Sequence, residues 1–167
     1  RGVWVSFVNA ATGELQSVHN ELRFLDGAVT GLHHARTPEQ PPTVVSPMPL
    51  VFVTGDVDDA LADTSGLYTI LPGGPYETDL QGDYLTVVNA AGSEGTLSDD
   101  DADLHWTDDD ATQAEIDTYV FGNQIRVWGE RVEPTVDIVT RPLDAFVNIN
   151  DVCNAYYDGN INFFAAG

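Results

Sequence analysis

The chain has no lysine, a single cysteine, and no apolar run long enough to cross a bilayer as a helix. All 6 basic residues are arginines, and 27 acidic residues oppose them to give a net charge of −21 over 167 residues. A surface of that sign repels phosphate backbones and anionic headgroups, so nucleic acid and membrane are set aside as partners. It suits an extracellular protein, a salt-adapted source or one that binds divalent cations; the plain alternative is a solvated acidic face. The lone Cys153 has no partner for a disulfide within the chain. Its neighbours alone suggest a buried thiol acting as a small hydrophobe. No leader precedes the first strand pattern, and Arg1-Gly2 reads as a processed or truncated end. Apolar content is ordinary at 43%, so the chain can bury a real core in one domain or two small ones.

What is present is mostly β pattern. Residues 3–8 are strongly β-prone, and Thr12-Gly13 marks a turn after them. Residues 14–25 then alternate, with Leu15, Val18, Leu22 and Phe24 as candidate inward positions. A loop rich in proline follows His33-His34, and its prolines exclude helix and any central strand. Further strands are expected at 50–54, 67–71 and 84–89, each bounded by Gly, Pro, Asp or Asn. Short strands at that spacing indicate an antiparallel β-sandwich.

From Ser98 the composition changes. Seven aspartates fall within residues 99–110, and the spacing of Ile116, Val120 and Val127, flanked by Tyr119 and Trp128, predicts one α-helix over 111–130. Asp108, Asp109 and Asp110 would stand at its N-terminus, where the backbone dipole favours negative charge. The chain then reads as strand, a two-residue Asp158-Gly159 turn, and strand again through Ile161, Phe163 and Phe164.

The end of the chain carries a resemblance. Asn154-Ala155-Tyr156-Tyr157-Asp158-Gly159 resembles the Asn-Ala-aromatic-aromatic-x-Gly edge strand of thermolysin-like zinc metallopeptidases, and the longer stretch is similar to the fungalysin-type branch. Residues 4–15 resemble the strand-turn-strand that closes the propeptides of these proteases. Residues 64–70 and 80–87 are similar to the small transthyretin-like modules appended to secreted peptidases. Residues 119–128 resemble the early fungalysin-type helix; Asn123 fits it, but Arg126 and Val127 stand in place of its His-Asp pair. The resemblance implies a propeptide-like hairpin over 1–26, a β-sandwich module over 27–97, and over 98–167 an acidic loop, helix and edge hairpin that begin a catalytic domain.

The same resemblance implies roles. Asn154 and Ala155 would hold the backbone of a peptide substrate added to the edge strand, with Tyr156 walling the cleft. Cys153 would pair with a cysteine outside this chain. Zinc would belong to the parent enzyme, because no His-Glu pair occurs in this sequence, and without zinc ligands or a glutamate base nothing here activates water. This chain alone is therefore expected to be catalytically silent.

Two readings of the residues themselves stay open. Asp99, Asp101, Asp103 and Asp110 fall at positions 1, 3, 5 and 12 of a calcium-loop register, although Leu104 stands where a glycine is wanted; the alternative is a solvated acidic loop. The histidines assemble no site, since His33 and His34 on a strand would face opposite ways. As for partners, the apolar terminal strands 3–8 and 161–164 require a cover. That cover is either the remainder of a parent polypeptide or neighbouring copies of the chain, the second making an extracellular structural subunit that assembles through its edges.

Overall fold

A computed structural model describes residues 4–20, 23–35, 40–151 and 154–165. Cys153 and Leu22, singled out above, lie outside the described residues. Among the described residues the fold is mainly β, with antiparallel sheets, one long helix and no closed barrel.

The first two strands, β1 (Trp4–Val8) and β2 (Leu15–Asn20), form an antiparallel hairpin. Gly13, with φ of 74°, makes its turn. Leu15, Val18 and Phe24 were expected to face inward, yet all three are exposed, as are Trp4, Phe7 and Val8. The alternation is real, but among the described residues the two strands pair only with each other, and these side chains are left exposed.

Three four-stranded sheets build the body. In one, the long β3 (Leu25–His33) pairs antiparallel with β4 (Val44–Pro47) and β7 (Leu67–Ile70), and parallel with β11 (Asp103–Trp106). The second is antiparallel throughout, in the order β10 (Thr96–Asp99), β8 (Tyr76–Asp79), β5 (Phe52–Gly55), β6 (Asp59–Leu61). The third runs β13 (Ala155–Tyr157), β14 (Ile161–Phe164), β12 (Leu143–Ile149), β9 (Leu85–Asn89). Its β9, β12 and β14 are mutually parallel, and only β13 is antiparallel to its neighbour.

One contiguous core joins them. Val29, Met48, Val53, Ile70, Leu85, Trp106, Ile116, Tyr119 and Val147 all belong to it. The stretches 27–97 and 98–167 therefore meet in a single interior, chiefly because β11 adds to β3 and β12 adds to β9. The acidic stretch is not all loop. β10 and β11 both draw on it, and in β11 Asp103 and His105 face out while Leu104 and Trp106 are buried.

Helix α1 (Gln113–Val132) begins two residues later than the spacing suggests. Thr112 is its N-cap, and the Glu115 carboxylate reaches back to the Thr112 N–H at 2.9 Å. Asp110 instead closes the preceding turn, accepting from the Thr107 N–H at 2.8 Å and hydroxyl at 2.9 Å. A short helix, α2 (Asp137–Thr140), leads into β12.

Two stripes run along α1. Ile116, Tyr119, Val120 and Asn123 are buried in the core. On the other side, Ile125, Trp128 and Val132 are 68%, 64% and 60% exposed, in line with half-buried Phe121. At 3.6 residues per turn the two stripes lie about 150° apart. The helix thus carries a second apolar stripe that faces away from the core.

Candidate binding edge

β13 is an edge strand. It is hydrogen-bonded to β14 and, among the described residues, has no neighbour on its other side. Which of its groups face outward follows from the ladder. The Phe164 N–H donates to the Asn154 carbonyl at 3.0 Å, and the Asp158 N–H donates to the Asn160 carbonyl at 3.3 Å. Residues alternate along an antiparallel strand between bonding one neighbour and the other. Asn154, Tyr156 and Asp158 therefore turn their backbone groups to β14. Ala155 and Tyr157 turn theirs to the open edge.

This places each residue singled out from the sequence. Asn154 is exposed at the head of the edge, with its carbonyl used inside the hairpin. Ala155 offers both an N–H and a carbonyl outward. Tyr156 is half-exposed, and its ring lies tilted on Phe164 at 5.7 Å. The turn has three residues rather than two, since β14 starts only at Ile161. Asp158 explains the difference: its carboxylate accepts from the Asn160 N–H at 3.2 Å and the Asn162 side chain at 3.1 Å.

Beside this edge, α1 covers one face of the same sheet. By register, Ile161, Ala145 and Val87 share that face, so Phe163 and Leu85 do as well. Gly122 allows the approach, because a Cβ there would stand 2.5 Å from Leu85 Cδ2. An apolar groove of about 170 Å³ remains between helix and sheet, lined by Leu85, Phe121, Gly122, Ile125, Ile161 and Phe163, with Asp117 and Thr118. It runs into the exposed stripe of α1.

The aspartates of the calcium register are not brought together as one loop. Asp99 and Asp101 each accept a backbone N–H two residues on, at 3.0 and 3.2 Å. Asp103 accepts the Ala28 N–H at 3.0 Å and opens strand β11, whose remaining residues separate it from Asp110. Among the described residues no group of three or more His, Cys, Asp or Glu side chains is placed to hold a metal ion.

Sequence reasoning missed three polar features. His33 and His34 do not simply face opposite ways; both are buried. His33 Nδ1 donates to the His34 carbonyl at 2.7 Å, which leaves Nε2 to accept from Ser46 Oγ at 2.8 Å. His34 grips Asp117 of α1 through its backbone N–H at 3.0 Å and its Nδ1 at 2.6 Å. A second feature centres on Glu115, buried at the start of α1. The third is Arg141, which bonds the tip of the terminal hairpin. Besides near neighbours such as Thr112 for Glu115, each has partners 13 to 83 residues away in the chain, a separation no local pattern reports. Burial also raises the Tyr84 phenol, against the opposing pull of the Arg126 and Arg141 guanidiniums near it.

Comparison with protein-family models, with curated proteins and with solved structures gives no match.

Proposed function

We propose that this chain is the non-catalytic N-terminal part of a secreted, thermolysin-like zinc metallopeptidase of the fungalysin type, and that it supplies the strand on which the peptide substrate is laid. The observation that carries this reading is the open edge of β13, where Ala155 and Tyr157 present backbone donors and acceptors that are unpaired among the described residues, beside the exposed Asn154. A peptide adding there as a further strand gains main-chain hydrogen bonds from Ala155, which the sequence resemblance assigns to substrate, and from Tyr157, which it does not.

The outer face of α1 supports the same reading. Its stripe of Phe121, Ile125, Trp128 and Val132, continuous with the groove against Ile161 and Phe163, is the kind of surface that a following part of a catalytic domain would cover. Zinc does not fit the residues present: the sequence has no His-Glu-x-x-His, and the described residues assemble no donor set. The ion and the chemistry are assigned to polypeptide outside this chain. Calcium remains a proposal for the acidic turns, with no assembled site behind it.

One observation favours a second reading. The β1–β2 hairpin exposes Trp4, Phe7, Val8, Leu15 and Val18, which suits an extracellular subunit that assembles with copies of itself. The charge of −21 per chain opposes that assembly except at high salt.

The experiment that tests the leading reading is a titration of the ¹⁵N-labelled chain with acetyl-Ala-Leu-Ala-amide. Selective shifts of the Ala155 and Tyr157 amides are expected. Ala155→Pro should abolish them while leaving the fold intact, because proline on an edge removes only the outward N–H. Shifts spread elsewhere, or none at β13, would overturn the reading.

A further inference from the structure

We propose that Arg141 is the positioning residue for the peptide-accepting edge; this rests on the reading of β13 given above. β13 spans three residues, all exposed, and among the described residues pairs on one side only. A ribbon that short is marginal by itself. Its turn offers no stiffening either, since Gly159 has φ of 114° and nothing lies within 4 Å of where its Cβ would be. Tyr156 packs on Phe164, within the same hairpin, and so moves with it.

β14 joins the hairpin to the body through its ladder with β12, and Arg141 adds a side-chain tie at the hairpin's turn. It stands at the C-terminal end of α2, just ahead of β12. Its Nη2 donates to the Gly159 carbonyl at 2.9 Å and to the Tyr157 phenol oxygen, while its Nε donates to Asp137 at 3.0 Å. A guanidinium holds its donors in a rigid plane, so contacts to both elements hold the turn end of the hairpin, where β13 meets β14, against the end of α2. Tyr157 joins clamp to edge: its side chain is held by Arg141, and its own N–H and carbonyl point to the open side. Disturbing Arg141 would therefore change where an incoming strand meets β13 without touching that strand.

The test compares the 167-residue chain with its R141A, R141K and Y157F variants in two measurements. One is hydrogen exchange without ligand; the other is the titration with acetyl-Ala-Leu-Ala-amide. R141A should speed exchange of the Tyr156, Asn162 and Phe164 amides by about tenfold or more while α1 and β5 stay protected. It should weaken the peptide by a similar factor. R141K, which keeps the charge but not the planar fork, and Y157F, which loses one acceptor, should fall between. Unchanged exchange in R141A overturns the proposal. So does faster exchange with undiminished peptide affinity, which would make Arg141 a structural tie only. If the unsubstituted chain binds no peptide while R141A still loosens the hairpin, the edge-binding reading fails and takes this assignment with it; if the chain binds peptide and R141A changes nothing, only the assignment fails.

Discussion

Asn89 and Glu115, from β9 and α1, meet in the interior, where Asn89 Nδ2 donates to Glu115 Oε2 at 3.2 Å. Glu115 is 1% exposed, and its carboxylate also accepts from the Gly95 N–H at 3.1 Å and from the Thr112 N–H and hydroxyl at 2.9 and 2.6 Å. Asn148, in the left-handed region at φ of 57°, adds donors to Asn89 Oδ1 and Thr112 Oγ1, both at 3.1 Å. One side chain thus ties the start of the helix to the loop after β9 and, through Asn89, to β12. Glu115→Ala would strand these buried donors and should cost about 3 kcal/mol or more, whereas Glu115→Gln, which keeps one acceptor, should cost less. Urea unfolding checks this, with a lowered midpoint at unchanged slope expected for both.

Alkali should unfold the protein in a defined window. Tyr68 donates to the Ala102 carbonyl at 2.5 Å, and burial, helped by Tyr76, Asp103 and Asp101, pushes its phenol up to about 12 from 10.0. Burial raises the Tyr119 phenol as well; it donates to the Pro49 carbonyl at 3.1 Å. Above pH 10 the unfolded chain loses these protons first and so binds fewer than the folded one. Stability is therefore full below that pH and falls as pH rises toward 12. Circular dichroism at fixed urea should show the decline, and Tyr68→Phe should make it shallower.

The outer stripe of α1 should carry no stability in this chain. Replacing Ile125, Trp128 and Val132 together with serine should change the unfolding free energy by no more than about 1–2 kcal/mol, mostly through helix propensity. The same change should lower binding of a hydrophobic dye and any concentration-dependent association, read by sedimentation. A large loss of stability would mean that the stripe is already packed.

Gly82 sets a harder limit. A Cβ there would stand 2.2 Å from the Leu50 carbonyl oxygen and 2.3 Å from the Tyr119 hydroxyl. Gly82→Ala should cost about 2 kcal/mol or more by forcing β9 away from the core. Gly13→Ala meets nothing within 4 Å and should cost only about 1 kcal/mol, from its φ of 74°. Thermal unfolding of the two variants separates the cases.

Much of the fold was legible where local pattern and packing agree. Strands β1, β5, β7 and β9 follow β-prone runs between turn residues, and the core stripe of α1 follows its 3.6-residue period. The strand β11 was legible too, in the alternation Asp103, Leu104, His105, Trp106, but the density of aspartates around it suggested a loop. Leu15 and Val18 misled for the opposite reason: they alternate as an inward face should, yet both are left exposed. The edge at Ala155 could be located from sequence because its residues are consecutive. The spacing Thr112-x-x-Glu115 gave a local sign of the cap, but the contacts of Glu115 with Asn89 and Gly95 and of Arg141 with Tyr157 and Gly159 could not be located, because those partners lie 16 to 26 residues away.

The central claim is that this chain is one part of a zinc metallopeptidase. Intact mass and terminal peptide mapping of the protein from its native source test it most directly. The account predicts a mass well above 18.1 kDa, with peptides running past Gly167 into a His-Glu-x-x-His segment and a second cysteine bridged to Cys153. A mature product ending at Gly167 would contradict it and favour the self-assembling subunit.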